Sequence, residues 1–464
     1  MTTLSHSPKT VGTIEPAWVP YSARLRVSPY EVAVGETVVV TGEEFAPGAK
    51  VELVWHSADG RYESTDAGEF VGQRYERAVS IIATAVANKR GHIRSSFAIP
   101  LDFGGPHDIR ARVEGEEVAQ VGVLVKATWT LTPAEGPIGT LVELKVTGLD
   151  SNIKVNTWHL LWDNHYFGMM TGVTTRGVGV AKFRAAGPVG EHYIAAWRNS
   201  HSTSPYLAGD YSPLQQAGKT GLDFKFTVTE DCGALPPEVD LFPDDQPAAR
   251  SAPHGSILEA TPDRGLVGSL TRLRGSGFPA GTWLDLVWFS VVGASVMNIE
   301  PREIRRDMGK VRTAPDGTLS IDLEVPDDLG GSHRIGLFSG DELVSEGTFV
   351  ILPSVVSYTP EVRAGGRVDV HLKGVGWTEY DKNYAVTYDN AFIGYVCALS
   401  TNGDIRFRFT ATGAPGTHLL DLYPMIYKAQ DPLPVVDGVP HLTYTDDHPG
   451  RKTPAVRLSI QVKA

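Results

Sequence analysis

The chain has 464 residues, of which 42% are hydrophobic and 21% are charged. This is the composition of a folded globular protein, and the length predicts roughly three to five domains of ordinary size. The formal net charge of −12 disfavours nucleic acid and anionic membrane surfaces as partners, because both attract basic surfaces. Two cysteines are too few for a disulfide-stabilised fold, and no apolar stretch reaches the ~20 residues of a membrane-spanning helix.

The chain begins with a polar, proline-containing stretch, residues 1–21. This stretch lacks the continuous apolar core of a signal peptide, so it predicts an N-terminal arm. We expect the protein to belong to a surface, extracellular or virion assembly, in preference to a purely cytoplasmic location.

From residue 22 onward, one sequence phrase occurs four times. The copies are SPYEVAVGETVVVTG, TPAEGPIGTLVELKVTG, TPDRGLVGSLTRLRG and TPEVRAGGRVDVHLKG. Proline presets φ and glycine accepts positive φ, while the alternation of apolar and polar residues is typical of a half-buried strand. The phrase therefore predicts a turn and a strand near the start of each of four domains.

A Gly-x-His phrase also occurs four times, and its spacing defines a duplication. His107 and His333 are 226 residues apart, and so are His192 and His418. One constant offset predicts a duplicated two-domain unit in the order A-B-A-B, in which A carries a longer insertion in mid-domain. The predicted boundaries are an arm 1–21, A1 22–127, B1 128–230, a proline-rich acidic linker 231–255, A2 256–352 and B2 353–464.

One strand in every predicted domain ends on an aromatic residue: Trp55, Trp162, Trp288 and Tyr388. Apolar side chains precede each ring at period two, so the strand buries one face, and a large ring can anchor the core between two sheets. We expect these rings in the core rather than on the surface as sugar-stacking platforms. Many short strands separated by Gly/Pro turns predict an all-β fold of four tandem β-sandwich domains.

The third predicted domain contains TPDRGLVGSLTRLRGSGFPAG, PDGTLSIDLEVP and GGSHRIGLF. In these phrases the chain resembles bacterial and phage tandem Ig-like repeats of the IPT/TIG-like kind, over roughly residues 22–464 apart from the linker. The fourth domain departs from the pattern, because GWTEYDKN replaces the FxPG turn. The resemblance implies Ig-like sandwiches and a prokaryotic surface, extracellular or phage-virion setting.

Residues 231–255 are rich in proline and acidic residues and show no periodicity. Proline favours an extended chain, so we expect a semi-rigid spacer that either separates the two units or lies along one of them. Cys232 lies in this stretch and Cys397 in a strand-like run, and we expect both to be free thiols.

The chain contains no motif of a known catalytic class. We expect the repeated histidines to be structural, because one copy in each domain does not make one active site. His159, Asp163 and His165 share one face of a predicted strand, but the two histidines are about 20 Å apart in an extended chain, too far for one metal ion. We therefore expect no enzyme activity, no metal and no cofactor.

The insertions of the A domains place arginines in an otherwise acidic protein: Arg74 and Arg77 in A1, and Arg305 and Arg306 in A2. Such basic spots suit acidic glycans or acidic protein faces. The alternative is a solvated loop whose arginines make local ion pairs.

The B domains have long connections before their last strand, with Tyr206 and Tyr211 in B1 and Tyr427 and Tyr444 in B2. Loops of this length are usually functional, and tyrosine provides contact area at low entropic cost. We predict a recognition surface there; the alternative is packing against the neighbouring A domain.

These observations favour a non-enzymatic structural or adhesive protein that binds through loops at domain ends. Its expected partners are other protein subunits, in a homo-oligomer or a larger assembly, or a polysaccharide. Two alternatives stay open. One is a carbohydrate-binding accessory module, with Trp129, Trp197 and Trp377 as the aromatics not yet assigned to the core. The other is a non-catalytic or hydrolytic subunit of an enzyme complex.

Overall fold

A computed structural model describes residues 21–64, 70–151, 156–199, 205–208, 221–240, 255–294, 299–376, 383–398, 401–425, 439–448 and 454–464. Every regular element in these ranges is a β-strand. Within them, no helix has the length and apolar character needed to cross a bilayer. Cys232 is exposed, and it and Cys397 are free thiols.

Segments A1 and B1 contain sixteen strands. Those of A1 are β1 (Arg24–Ser28), β2 (Glu31–Ala33), β3 (Thr37–Glu43), β4 (Lys50–Ser64), β5 (Phe70–Val86), β6 (Ile93–Ala98), β7 (Gly105–Val113) and β8 (Glu116–Lys126). Those of B1 are β9 (Thr128–Thr132), β10 (Glu135–Gly136), β11 (Leu141–Thr147), β12 (Thr157–Trp162), β13 (His165–Met170), β14 (Gly179–Arg184), β15 (Gly190–Asn199) and β16 (Gly221–Val228).

A short strand, β17 (Glu238–Val239), precedes the sixteen strands of A2 and B2. Those of A2 are β18 (Ile257–Thr261), β19 (Arg264–Gly265), β20 (Leu270–Ser276), β21 (Trp283–Ala294), β22 (Ile299–Arg312), β23 (Leu319–Glu324), β24 (Gly331–Ser339) and β25 (Glu342–Ile351). Those of B2 are β26 (Ser354–Tyr358), β27 (Glu361–Arg363), β28 (Arg367–Lys373), β29 (Asn383–Tyr388), β30 (Ala391–Cys397), β31 (Ile405–Thr410), β32 (Gly416–Met425) and β33 (Val456–Lys463).

The strands form four pairs of sheets with one recurring order. The three-stranded sheets are β1-β3-β6, β9-β11-β14, β18-β20-β23 and β26-β28-β31. The larger sheets are β2-β8-β7-β4-β5, β10-β16-β15-β12-β13, β19-β25-β24-β21-β22 and β17-β33-β32-β29-β30, with β27 also paired to β33. Two facing sheets connected in this way make an Ig-like sandwich, so the predicted all-β, Ig-like fold is confirmed.

The repeated Ser/Thr-Pro phrase lies where the first strand of each sandwich changes sheets. In A2, β18 pairs antiparallel with β20 in the small sheet, whereas β19 pairs parallel with β25 in the large sheet. Pro262 stands between these two halves. Proline has no N–H to donate to a ladder, which explains why it occupies the break rather than a paired position.

The four repeated aromatic residues are core residues, although only Trp162 and Tyr388 end their strands as predicted; β4 and β21 continue past Trp55 and Trp288. Trp55, Trp162 and Trp288 are at most 2% exposed, and Tyr388 is 7% exposed. Each belongs to the apolar cluster of its own sandwich. The prediction that these rings are core residues rather than surface platforms is confirmed.

Contacts divide the chain into two compact units. The first comprises Met1–Ser57, Ala78–Pro100 and Pro106–Val125. The second comprises Ala58–Arg77, Leu101–Gly105 and Lys126–Ala464. The outer part of the β4–β5 hairpin, residues 58–77, therefore belongs to the second unit, together with B1, A2 and B2. We call it the hairpin arm.

Candidate functional site

Each repeated histidine stacks on the core aromatic residue of the neighbouring strand. The ring centroids are 4.5 Å apart for Trp55–His107, 5.3 Å for Trp162–His192, 4.7 Å for Trp288–His333 and 5.4 Å for Tyr388–His418. The same contact recurs in four sandwiches, so the histidine is part of the repeated core rather than of one active site.

In B1 and B2 the histidine is also held by an aspartate of a tight turn. The Nδ1 atom of His418 lies 2.5 Å from Asp389, and its Nε2 atom lies 2.9 Å from the carbonyl of Ala414. His192 makes the matching contacts with Asp163 and Pro188. Carboxylate and carbonyl oxygens only accept hydrogen bonds, so the contacts of His418 favour a ring that donates from both nitrogens.

The His418–Asp389 pair predicts a dependence of stability on pH. The hydrogen bond to Asp389 raises the pKa of His418 above its ordinary value. Its stabilising contribution is therefore complete below about pH 6.5 and is lost as the pH rises through the folded-state pKa. Between about pH 6 and pH 8, we expect the melting temperature to fall ~1–2 °C more in the wild type than in Asp389→Asn, a small difference because the pair is partly solvated. An equal fall in melting temperature over this pH range for the two proteins would contradict this prediction.

The three residues considered as metal ligands do not converge. His159 is buried with its Nδ1 atom 3.0 Å from the Tyr166 hydroxyl, whereas Asp163 holds His192. His165 is exposed. Across the described ranges, no group of three or more His, Cys, Asp or Glu side chains could hold a metal ion.

The four arginines proposed for binding lie in different surroundings. Arg74 is exposed and forms ion pairs with Glu63 and Glu76, and Arg77 is also exposed. Arg305 lies over the rings of Phe289 and Phe338, 5.6 Å and 5.0 Å from their centroids. Arg306 is half-buried and donates to Asp328 and Asn402, so it ties A2 to B2 and does not form a free basic spot as we expected.

Two of the four tyrosines proposed for recognition fall within the described residues. Tyr206 is 49% exposed and its neighbour Leu207 is 55% exposed. Tyr444 is fully buried, because its ring packs in the core cluster of B1. It therefore belongs to an internal contact and not to an exposed recognition surface. Tyr211 and Tyr427 lie outside the described residues.

The unassigned tryptophans also differ in position. Trp129 is half-buried and packs edge-on against Trp158 with centroids 4.8 Å apart. Trp197 lies opposite His159 in the β12–β15 ladder and is half-buried. Trp377 lies outside the described residues.

Segment 439–448 of B2 docks on B1. On one side its backbone forms hydrogen bonds with β13. The Met169 amide donates to the Pro440 carbonyl at 2.9 Å, and the Leu442 amide donates to the Met169 carbonyl at 2.8 Å. On the other side, the amide of Lys182 in β14 donates to Leu442 at 3.0 Å. β13 and β14 are the outer strands of the two B1 sheets. The docked segment thus closes the open side of the B1 sandwich and adds Leu442 and Tyr444 to its core.

At the end of this segment, the Asp447 carboxylate is fully buried and accepts five hydrogen bonds. They come from the hydroxyls of Thr171, Thr174 and Tyr62 at 2.6–2.8 Å and from the amides of Val173 and Thr174 at 2.8 Å. Burial and the nearby carboxylate raise the pKa of Tyr62 well above its ordinary value, so this hydroxyl remains a donor. We call these residues the Asp447 junction; it joins the hairpin arm, B1 and B2.

A buried ion pair makes a second connection between B1 and B2. The Arg184 guanidinium lies 2.6 Å from one Asp421 oxygen and 3.3 Å from the other. It also donates to the carbonyl of Leu458 at 2.6 Å. The two charged side chains are 4% and 1% exposed. A buried charge left without its partner is costly, so this pair is one of the contacts that stabilise the meeting of the two sandwiches.

Residues 231–240 of the predicted linker, which we call the strap, lie along B2. Asp231 accepts a hydrogen bond from the Thr417 amide at 2.8 Å, and Leu235 exchanges two bonds of 2.8 Å with the Ser459 hydroxyl. β17 then pairs with β33, and Asp240 accepts from the buried Arg457. Of the two arrangements expected for the linker, the strap lies along one unit; residues 241–254 lie outside the described part.

Sequence reasoning missed the docked segment, although it contained a local signal. In His441-Leu442-Thr443-Tyr444-Thr445, apolar residues alternate with polar and β-branched residues, a pattern typical of a strand. The length of the connection instead predicts one recognition loop over the whole stretch.

Comparison with known proteins identifies no family for this chain. No family model matches the sequence, and no curated protein matches it. Among solved structures, Salmonella alpha-2-macroglobulin aligns at 10% identity and TM-score 0.19 over 95% of this chain and 31% of its own, so this chain spans about a third of that protein. The ICAM-5 D1–D4 ectodomain fragment aligns at 12% identity and TM-score 0.18, over 95% of this chain and 100% of that fragment. The Yersinia pseudotuberculosis adhesin InvE aligns at 12% identity and TM-score 0.19, over 45% and 58%. These scores are too low to carry an argument about function.

Proposed function

We propose that this protein is a non-enzymatic structural or adhesive component of a prokaryotic surface, extracellular or virion assembly. It binds protein subunits or a polysaccharide through loops at the ends of its sandwiches. The proposal includes the four domains with the boundaries predicted from the sequence and their relationship to IPT/TIG-like repeats.

The supporting observation is that B1 and B2 share one core. Leu442, Tyr444, Tyr423 and Leu419 of B2 belong to the same apolar cluster as Trp162 of B1. Domains of one chain move relative to each other by default unless their interface is large and apolar. A shared core therefore suits a rigid scaffold, which holds its binding loops at fixed separations.

The binding loop that we favour is the long connection of B1 before β16. Its described part exposes an aromatic and an aliphatic side chain next to each other, Tyr206 and Leu207. In B2, by contrast, part of the corresponding connection is used for docking on B1. The recognition role is thus assigned to the B1 connection, and the B2 connection has a structural role.

We expect the double variant Tyr206→Ala, Leu207→Ala to lose at least about tenfold in affinity for the bound partner, because aromatic anchors dominate binding energy. The measurement is binding of the full chain to a glycan array and to immobilised full chain by interferometry. Tyr30→Ala is the matched control, because Tyr30 is 57% exposed and lies outside this loop. The melting temperature of all three proteins should agree.

Two results would refute the proposal. One is the absence of binding by the wild type to every glycan and to its own copies. The other is turnover, detected as new reducing ends when a bound glycan is incubated with the protein, because the proposal excludes catalysis.

A carbohydrate-binding accessory module is the second candidate, favoured by exposed aromatic residues on the larger sheets. Trp283 of A2 is 59% exposed, and the Arg312 guanidinium carbon lies 5.9 Å from its ring centroid. Tyr193 of B1 is 53% exposed and donates to Glu191. Loss of glycan binding in Trp283→Ala, with binding unchanged in the loop double variant, would select this function over the first.

A further inference from the structure

The larger sheet of A1 ends at β5, a long strand with an exposed apolar surface. Within the described residues, β5 is the last strand of the order β2-β8-β7-β4-β5. In its second half, Val79, Ile81 and Val86 are 54%, 53% and 68% exposed. Residues 78–88, AVSIIATAVAN, contain no charged side chain and no proline. An uncharged, apolar edge strand is a template for pairing with another strand, and proteins normally protect such edges with charge.

The same chain protects the equivalent edge of A2. The 226-residue offset that relates the repeats matches β5 with β22, the last strand of the larger A2 sheet. At the positions matching the three exposed apolar residues of A1, A2 has Arg305, Asp307 and Arg312. It also has Arg306 and Lys310 where A1 has Ser80 and Thr84.

The charged residues of A2 cover apolar surface as well as blocking the edge. Arg305 lies over Phe289 and Phe338, and Arg312 lies over Trp283. Lys310 forms an ion pair with Asp285 at 3.2 Å. One copy of the repeat therefore carries a protected edge, while the other copy has an uncharged residue at each of these positions.

We propose that residues 78–86 of β5 pair antiparallel with the same residues of a second copy of this chain. The resulting dimer has one sheet that continues across a two-fold axis. A second copy is the occupant that the strand fits, because an uncharged strand is complementary to itself and pairs with its copy without placing like charges opposite each other. The paired strand would satisfy the backbone groups of the exposed edge and bring Val79, Ile81 and Val86 beside the same residues of the second copy. This inference does not depend on the proposed binding loop of B1.

The test is light scattering coupled to size-exclusion chromatography, over a hundredfold range of concentration of the full chain. We expect the wild type to reach twice the monomer mass of 50.1 kDa. The variant Val79→Arg, Ile81→Asp, Val86→Arg, which carries the A2 residues, should raise the dimer dissociation constant by roughly a hundredfold or more. Leu270→Arg is the control, since Leu270 is 68% exposed on a strand that is not an edge, and it should leave the dimer intact.

Amide hydrogen exchange locates the contact. Exchange of residues 78–86 should slow with rising concentration in the wild type and stay fast in the triple variant. If the triple variant melts at a lower temperature than the wild type, the single variant Ile81→Asp replaces it in both measurements. A wild type that stays monomeric, a dimer that persists in the folded variants, or growth into open-ended polymers would each overturn the proposal. The triple variant also separates this contact from the B1 loop, because it leaves the glycan array test unchanged and removes only the part of the self-binding in interferometry that arises from β5.

Discussion

Arg184→Met is expected to destabilise the second unit by about 3–5 kcal/mol, because it leaves the Asp421 carboxylate buried without its cation. The guanidinium is also the donor to the Leu458 carbonyl, and both groups lie between B1 and B2. The loss therefore falls on the contact that joins the two sandwiches. Differential scanning calorimetry should show a lower transition temperature for B1 and B2, or their separation into two transitions.

Two further variants test whether the loss of stability comes from the buried ion pair. Arg184→Met combined with Asp421→Leu should recover much of the stability, because an apolar pair of similar volume carries no uncompensated charge. Arg272→Met removes an exposed ion pair with Asp322, whose side chains are 50% and 55% exposed, and should cost less than about 1 kcal/mol. Equal effects of Arg184→Met and Arg272→Met would show that the buried pair does not hold B1 to B2.

Asp447→Ala is expected to have an effect of similar size, about 3–5 kcal/mol, because it leaves five donors of the Asp447 junction without their acceptor. The donors belong to the hairpin arm and to B1, whereas the carboxylate belongs to B2. Besides a lower unfolding temperature, we expect faster hydrogen exchange in the Val173 and Thr174 amides.

The neighbouring residue offers a matched control for this prediction. Asp446 is exposed and accepts from the neighbouring Thr445, so Asp446→Ala should be within about 0.5 kcal/mol of the wild type. Asp447→Asn keeps one acceptor oxygen and should fall between the alanine variant and the wild type. If Asp447→Ala and Asp446→Ala have the same melting temperature, the buried carboxylate does not stabilise the junction.

The repeated elements of this fold follow from local sequence patterns. Period-two alternation before Trp55, Trp162, Trp288 and Tyr388 predicts strands with one buried face, and the structure places all four rings in the core. The two Asp-Asn pairs form turns with positive φ at Asp163, Asn164, Asp389 and Asn390, a conformation that these residue types tolerate. The carboxylates of both turns also hold the stacked histidines, which the spacing alone did not indicate. Such features depend on residues close together in the chain or on one recurrent offset, and both are visible in a single sequence.

The predicted binding residues illustrate where local patterns fail. Tyr206 and Tyr444 occupy similar long connections, yet Tyr206 is exposed and Tyr444 is buried. Arg305 and Arg306 are adjacent, yet one covers aromatic rings and the other links A2 to B2. The exposure of a loop residue is decided by what packs against the loop, and composition does not contain this information.

The sequence by itself determined the strands, the Ig-like class and the identity of the core aromatics, because alternation and turn residues act over short distances. Only the tertiary structure decided that the strap follows B2, that segment 439–448 completes B1, and that Arg184 meets Asp421. That ion pair joins residues 237 positions apart. Partners so distant are selected by the complementarity of two assembled surfaces, and those surfaces exist only after each sandwich has formed.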